Sequence, residues 1–153
     1  FAFKALGEVL TIKLVEELRE NESGVYGVGA RGSMSKVPYG SYNFSISFPC
    51  GPENAEKLTE SALRELNKMV TNGPEQKDLD KFKEASRLEY KESLKDNRYW
   101  MAVLKRQYTD GVNPEEVFDF EAKLNALTVK ELQDVAKKYL AKDKVIGMLM
   151  PEE

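Results

Sequence analysis

Strict alternation of apolar and polar residues over 41–49 is the feature that most constrains the fold of this 153-residue chain. Such alternation predicts a β-strand with one buried face. A second strand is predicted over 25–34, and the Val37-Pro38-Tyr39-Gly40 sequence predicts the turn of an antiparallel hairpin. A half-buried hairpin needs a covering layer on its apolar face. The apolar positions are Tyr42, Phe44, Ile46 and Phe48, and the polar positions are Asn43, Ser45 and Ser47.

Helical periodicity accounts for most of the remaining chain, because apolar residues recur at spacings of three and four. Gly73 and Pro74 are typical of a helix end, and the capping box from Thr128 to Glu131 is typical of a helix start. Leu127 is expected to pack on Leu132 there. The predicted helices cover residues 4–21, 53–72, 75–95, 98–108, 115–124 and 128–140.

A last strand is predicted over residues 145–150, after a turn at Lys142-Asp143-Lys144. This segment is almost wholly apolar, which favours a central position with neighbours on both sides. Together the elements predict an α+β fold, with an antiparallel or mixed sheet and helices packed on one face. Three strands are few for so much apolar strand surface, so we expect further strands from an upstream part of the parent protein or from another subunit.

The length predicts one domain spanning residues 1–153, at about 150 residues per domain. The chain begins Phe1-Ala2-Phe3 without a methionine, so we expect it to be a piece of a longer protein. The net charge of −3 disfavours nucleic-acid binding. No apolar run approaches the roughly 18 residues of a membrane helix.

Histidine is absent from the chain, and this absence excludes several catalytic centres. Ser-His-Asp and Cys-His catalysis both need an imidazole, as do zinc sites that bind through histidine. The single cysteine, Cys50, excludes an internal disulfide. Without a neighbouring imidazole, Cys50 is interpreted as a small, partly buried packing residue.

Two further patterns are interpreted as structural. Glycines between residues 24 and 32 lie in a predicted strand after a helix, which is the wrong order for a phosphate-binding loop, so they indicate close approach of another backbone or a peptide. Carboxylates on the helix over 75–95 alternate with lysines and arginines, which is typical of a solvated face. The glycines are Gly24, Gly27, Gly29 and Gly32, and the carboxylates are Asp78, Asp80, Glu84, Glu89 and Glu92.

Arg19 and Tyr26 form the more informative pair, because the first helix ends near Arg19 and Tyr26 lies on the following strand. A bend at Ser23-Gly24 would let the guanidinium and the phenol converge on one pocket. Both donors suit a peptide carbonyl that gains negative charge in a transition state. The alternative is that Arg19 pairs with Glu16 or Glu20 and that Tyr26 is a packing residue.

The sequence LVEELRENESGVYGV over residues 14–28 resembles the C-terminal-half motif of the pitrilysin/insulinase family of zinc metallopeptidases. A helix ending in Leu-Arg-Glu, a glycine-containing bend, and then a tyrosine on a strand are characteristic of that motif. The Asn-Gly-Pro break at 72–74 and the late helix leading to an apolar last strand are also similar. The resemblance covers nearly all of the chain.

The resemblance implies that zinc and the H-x-x-E-H motif belong to an N-terminal domain, in the same chain or in a partner subunit. The C-terminal domain lacks the metal and closes the chamber over a peptide or unfolded polypeptide. Arg19 and Tyr26 would then contact substrate near the scissile bond, and the isolated chain would be inactive. A bacterial periplasm, cell envelope or cytoplasm fits the family equally.

Two other functions stay open on the sequence alone. The chain could be a non-catalytic structural subunit that partners a zinc-bearing homologue, as in other members of the family that it resembles. It could also be a free-standing module that binds peptides at an open sheet edge. An H-x-x-E-H motif in the rest of the gene favours the protease, and peptide binding by the isolated chain favours the module.

Overall fold

The structure is a computed structural model that describes residues 1–36, 38–142 and 144–152. It contains a two-stranded antiparallel sheet, formed by β1 (Gly29–Ser35) and β2 (Ser41–Ser47). The register pairs Gly29 with Ser47 and Ser35 with Ser41. The predicted hairpin is therefore confirmed, although β1 begins four residues later than expected. Val37, part of the predicted turn, lies outside the described residues.

The described part of the chain contains six α-helices. The first continues directly into a π-helix, Val15–Asn21, and short 3-10 helices, Pro52–Asn54 and Pro114–Asp119, precede α2 and α5. The α-helices are α1 (Ala2–Leu14), α2 (Ala55–Asn72), α3 (Gln76–Ser93), α4 (Asn97–Asp110), α5 (Phe120–Ala126) and α6 (Val129–Leu140).

The helix boundaries follow the predicted signals. Gly73 ends α2 with a φ of 77°, which favours glycine. Thr128 caps α6 by accepting a hydrogen bond from the Glu131 amide at 3.1 Å. Leu127 and Leu132 are both buried beside this cap, as the sequence predicts.

Helix α1 forms the centre of the core, and it contacts β1, α2, α3 and α6. Its side chains meet the apolar face of the sheet, where the Phe3 and Phe44 rings lie 5.7 Å apart. The helices therefore cover that one face, which confirms the predicted α+β architecture. The fully buried leucines along this axis are Leu6, Leu10, Leu14 and Leu18.

The contact between α1 and β1 depends on small residues. The Ala30 amide of β1 donates to the Thr11 hydroxyl of α1 at 2.8 Å, so a helix side chain satisfies the strand backbone at this position. A Cβ on Gly32 would lie 2.5 Å from the Phe3 carbonyl oxygen, and a Cβ on Gly7 would lie 2.9 Å from the Gly32 nitrogen. The interpretation of close backbone approach is therefore confirmed at Gly32, whereas nothing lies within 4 Å of an added Cβ at Gly27 or Gly29.

The predicted last strand is wrong for this chain: residues 144–152 form no strand in the structure. Val145 and Leu149 are fully exposed. An apolar sequence can favour a strand, but the strand forms only where a neighbour offers free backbone groups. Asp143, part of the turn predicted before this segment, lies outside the described residues. No helix among the described residues is long and apolar enough to cross a membrane.

Candidate functional site

The first helical segment ends in the π-helix Val15–Asn21 rather than in α-helix. Immediately after it, the Glu22 amide donates to the Glu17 carbonyl at 3.0 Å, a bond between residues five apart. Leu18 is fully buried and anchors the turn. The sequence predicted one helix over 4–21, because hydrophobic spacing does not distinguish α from π geometry over a single turn.

Three residues then form the corner between the π-helix and the strand region. Ser23 has a φ of 51°, in the left-handed region, and the Gly24 amide closes the helix by donating to the Leu18 carbonyl at 3.0 Å. A Cβ on Gly24 would lie 2.7 Å from the buried Leu58 side chain of α2. Val25 is buried and forms a bridge with half-buried Cys50. The corner is therefore fixed on the side that faces the core.

Arg19 and Tyr26 lie on the solvent side of this corner. The Tyr26 side chain is 97% exposed, and Arg19 is exposed as well. Of the two alternative partners of Arg19, Glu16 instead contacts Lys13 at 3.4 Å and Lys77 at 3.8 Å, and Glu20 forms no ion pair with Arg19. Throughout the described ranges, the side chains of Arg19 and Tyr26 have no hydrogen bond or ion pair, with each other or with any other residue. The alternative in which Arg19 is paired and Tyr26 is packed is wrong.

A cavity of about 1570 Å³ lies elsewhere. It is lined by the N-terminal half of α1, by β1 and by the end of α4, including Arg31, Arg106 and Asp110. Neither Arg19 nor Tyr26 lines it. The corner is thus an exposed surface feature of this chain rather than the wall of an enclosed pocket.

Ion pairs with α2 hold the corner from the other side. The Arg64 guanidinium lies 3.1 Å from Glu17 and 3.6 Å from Glu22, and Lys57 Nζ lies 3.1 Å from Glu22. The Asn21 side-chain amide, followed by Arg64, lowers the pKa of Glu17. The Ser61 hydroxyl and Lys57 lower the pKa of Glu22. The sequence analysis missed this network, because spacing along one helix does not show which charges meet between helices.

A second ionic network joins α1 and the π-helix to the start of α3. Glu75 contacts Lys13 at 2.9 Å and Lys77 at 3.0 Å, and these cations lower its pKa to about 2. Beside them, Asp78 is only 1% exposed, and its Oδ1 has no hydrogen-bond partner among the described residues. Burial raises the pKa of Asp78. The interpretation of the α3 carboxylates as a solvated face is therefore wrong at Asp78, because this first turn packs on α1.

The described ranges contain no group of three or more histidine, cysteine, aspartate or glutamate residues arranged to hold a metal ion. At the corner, the Arg19 guanidinium and the Tyr26 phenol can offer hydrogen-bond donation, and the guanidinium adds positive charge.

Comparisons with known proteins agree with this description of the chain. A zinc protease PQQL-like protein from Arabidopsis thaliana is 27% identical over 114 residues, which are 70% of this chain and 12% of the relative. The periplasmic protease PqqL from Escherichia coli superposes with a TM-score of 0.71 at 21% identity, over 92% of this chain and 15% of that one. A peptidase M16 inactive domain from Pseudomonas fluorescens gives 0.72 at 22% identity, over 90% of this chain and 33% of that one.

The chain thus spans only a small part of these relatives. The family described as "Peptidase M16 inactive domain" matches residues 1–86, more than half of the chain and a range that includes the whole corner. The resemblance inferred from residues 14–28 is confirmed by this match. The chain belongs to the M16 family of zinc proteases, as an inactive domain.

Proposed function

We propose that this chain is the substrate-binding, chamber-closing C-terminal domain of a zinc-dependent endopeptidase. Zinc-activated water, held in another domain, would cleave the peptide bond. The zinc-bearing partner would be an N-terminal domain in the same polypeptide or in a second subunit. The substrate would be a peptide or an unfolded polypeptide, with Arg19 and Tyr26 contacting it near the scissile bond.

The observation that carries the proposal is that Arg19 and Tyr26 are exposed and unpartnered on a corner that is otherwise firmly held. Neighbouring carboxylates find cations: Glu17 and Glu22 contact Arg64, and Glu16 contacts Lys13. An arginine with several acidic neighbours usually forms an ion pair, so the absence of an ion pair at Arg19 supports a role in binding. A guanidinium and a phenol can both donate hydrogen bonds to a carbonyl oxygen that becomes negatively charged.

The zinc-bearing domain and this chain would contribute different parts of the reaction. The zinc would polarise the carbonyl and activate water when bound in its own domain. Residues of this chain would orient the substrate and stabilise negative charge from the opposite side. We also propose a periplasmic location, since the Escherichia coli relative is described as a periplasmic protease. Fractionation of the source cells tests that location.

Arg19→Ala and Tyr26→Phe in the full-length protein test the proposed contacts. Loss of one donor to a developing oxyanion costs roughly 10²–10³ in rate in other enzymes, so kcat/KM for peptide cleavage should fall steeply. The matched controls are Arg98→Ala and Tyr108→Phe, whose side chains are exposed on α4. Unchanged cleavage in both corner variants would contradict the proposal.

A further inference from the structure

We propose that Arg64 is a positioning residue: its guanidinium bridges Glu17 and Glu22, holds the π-helical turn in register, and thereby fixes the direction in which Arg19 is presented. The inference rests on the proposed function, since Arg64 acts through Arg19 rather than by touching substrate. It concerns a residue of α2, outside the corner itself.

The geometry of the bridge matches a π turn. Arg64 Nη2 lies 3.1 Å from Oε1 of Glu17 and 3.6 Å from Oε1 of Glu22. These two residues are also joined by the backbone bond from the Glu22 amide to the Glu17 carbonyl. In an α-helix, residues five apart point about 140° away from each other. One guanidinium on a neighbouring helix therefore meets both carboxylates much more readily when this turn is π-helical.

The other end of the bridge is anchored to the core. The Arg64 guanidinium donates to the Ser61 hydroxyl at 3.0 Å, and its Nε lies 3.9 Å from the carboxylate of buried Glu65. Lys57 adds a second cation on Glu22, and Lys68 pairs with Glu65 at 2.7 Å. Buried leucines pack α2 into the core, so the position of this helix is fixed. Arg64, which extends from α2, therefore holds the π turn in place relative to that helix.

The register of the turn matters because Arg19 lies between the two bridged glutamates. Conversion of the π turn to α-helix would rotate the following residue by about 100° and move it by about 1.5 Å. Displacements of about 1 Å in a positioned group can cost about 10²-fold in rate. The Val25 bridge to Cys50 holds the end of the corner that follows the π turn. The rotation and displacement would therefore be taken up in the π turn, which contains Arg19.

Cleavage kinetics of the full-length protein test the role of Arg64. In Arg64→Gln, kcat/KM for a peptide substrate should fall tenfold to a hundredfold, chiefly through kcat, and Arg64→Lys should recover part of the loss. The matched control is Arg98→Gln, which removes an exposed guanidinium paired with Asp96. The double variant Arg19→Ala/Arg64→Gln should be no slower than Arg19→Ala alone, because Arg64 then has nothing to position.

Amide hydrogen exchange supplies a readout that does not depend on cleavage. In Arg64→Gln the amides of Glu22 and Gly24 should exchange faster, while those of α6 keep their protection. Arg64→Lys serves for the same comparison if the glutamine variant does not fold. Slow cleavage in Arg19→Ala with wild-type cleavage in Arg64→Gln would overturn this inference and leave the proposed function standing. Full activity in Arg19→Ala would also overturn this inference, and full activity in both Arg19→Ala and Tyr26→Phe would overturn the proposed function itself.

Discussion

Helices α1 and α4 have similar lengths, yet seven residues of α1 are buried and none of α4 is. Both helices carry several apolar side chains. The difference lies in their neighbours: α1 contacts the sheet and three other helices, whereas α4 contacts chiefly the short 3-10 helix Pro114–Asp119. The comparison shows that apolar spacing predicts that a helix forms, but not how much of it the chain can bury.

Three exposed apolar side chains of α4 lie on one side of the helix. Met101, Leu104 and Tyr108 are 67%, 45% and 87% exposed. The helix is instead held at its start, where Asp96 caps the Arg98 amide at 2.8 Å and the Trp100 indole donates to the Leu94 carbonyl at 2.8 Å. Local hydrogen bonds thus stabilise α4, while packing stabilises α1.

The largest expected difference between α1 and α4 is in the free energy of unfolding that is lost when a leucine is truncated to alanine. Leu10→Ala should lower the free energy of unfolding by about 2–5 kcal/mol, because it opens a cavity in the core. Leu104→Ala should change it by no more than about 0.5 kcal/mol. Urea unfolding followed by circular dichroism measures both. Equal losses would show that α4 is packed against the core in solution.

Added volume between α1 and β1 should have the next largest effect. Gly32→Ala places a methyl group against the Phe3 carbonyl, so we expect a loss of about 1–3 kcal/mol. Gly29→Ala is the control in the same strand, since nothing lies within 4 Å of the added Cβ. Thermal unfolding of the two variants tests the prediction, which fails if both melt at the same temperature.

The smallest expected effect is a stabilising one at the start of α3. Folding raises the pKa of Asp78. Above that raised pKa the carboxylate is ionised and lowers the free energy of unfolding. This loss of stability disappears as the pH falls below the raised pKa and the carboxylate becomes protonated. Asp78→Asn should therefore raise the urea midpoint at neutral pH and leave it unchanged below about pH 3.8. Asp80→Asn, on the exposed side of α3, is the control. A lower midpoint for Asp78→Asn at pH 7 would show that the carboxylate has a stabilising partner.

Much of the fold was predictable because its signals are local. Capping at Thr128, the break at Gly73 and the alternation of β2 each depend on residues close together in the sequence. The prediction of the last strand failed because an apolar sequence does not show whether a strand will find a pairing partner, and residues 145–150 pair with no strand in the described chain. Burial of Asp78 was missed for a similar reason: a charged helix face was expected to be solvated, but its first turn meets α1.

For the candidate site, the sequence by itself determined the residue types and their spacing: an arginine near a helix end, a tyrosine seven residues later, and no histidine. Only the tertiary structure decided that the intervening helix is π-helical, that Arg64 ties its glutamates to α2, and that Arg19 and Tyr26 are left without partners. The physical reason is distance along the chain. Spacing fixes what neighbours in sequence can do, whereas charge pairing between helices depends on which faces the core brings together.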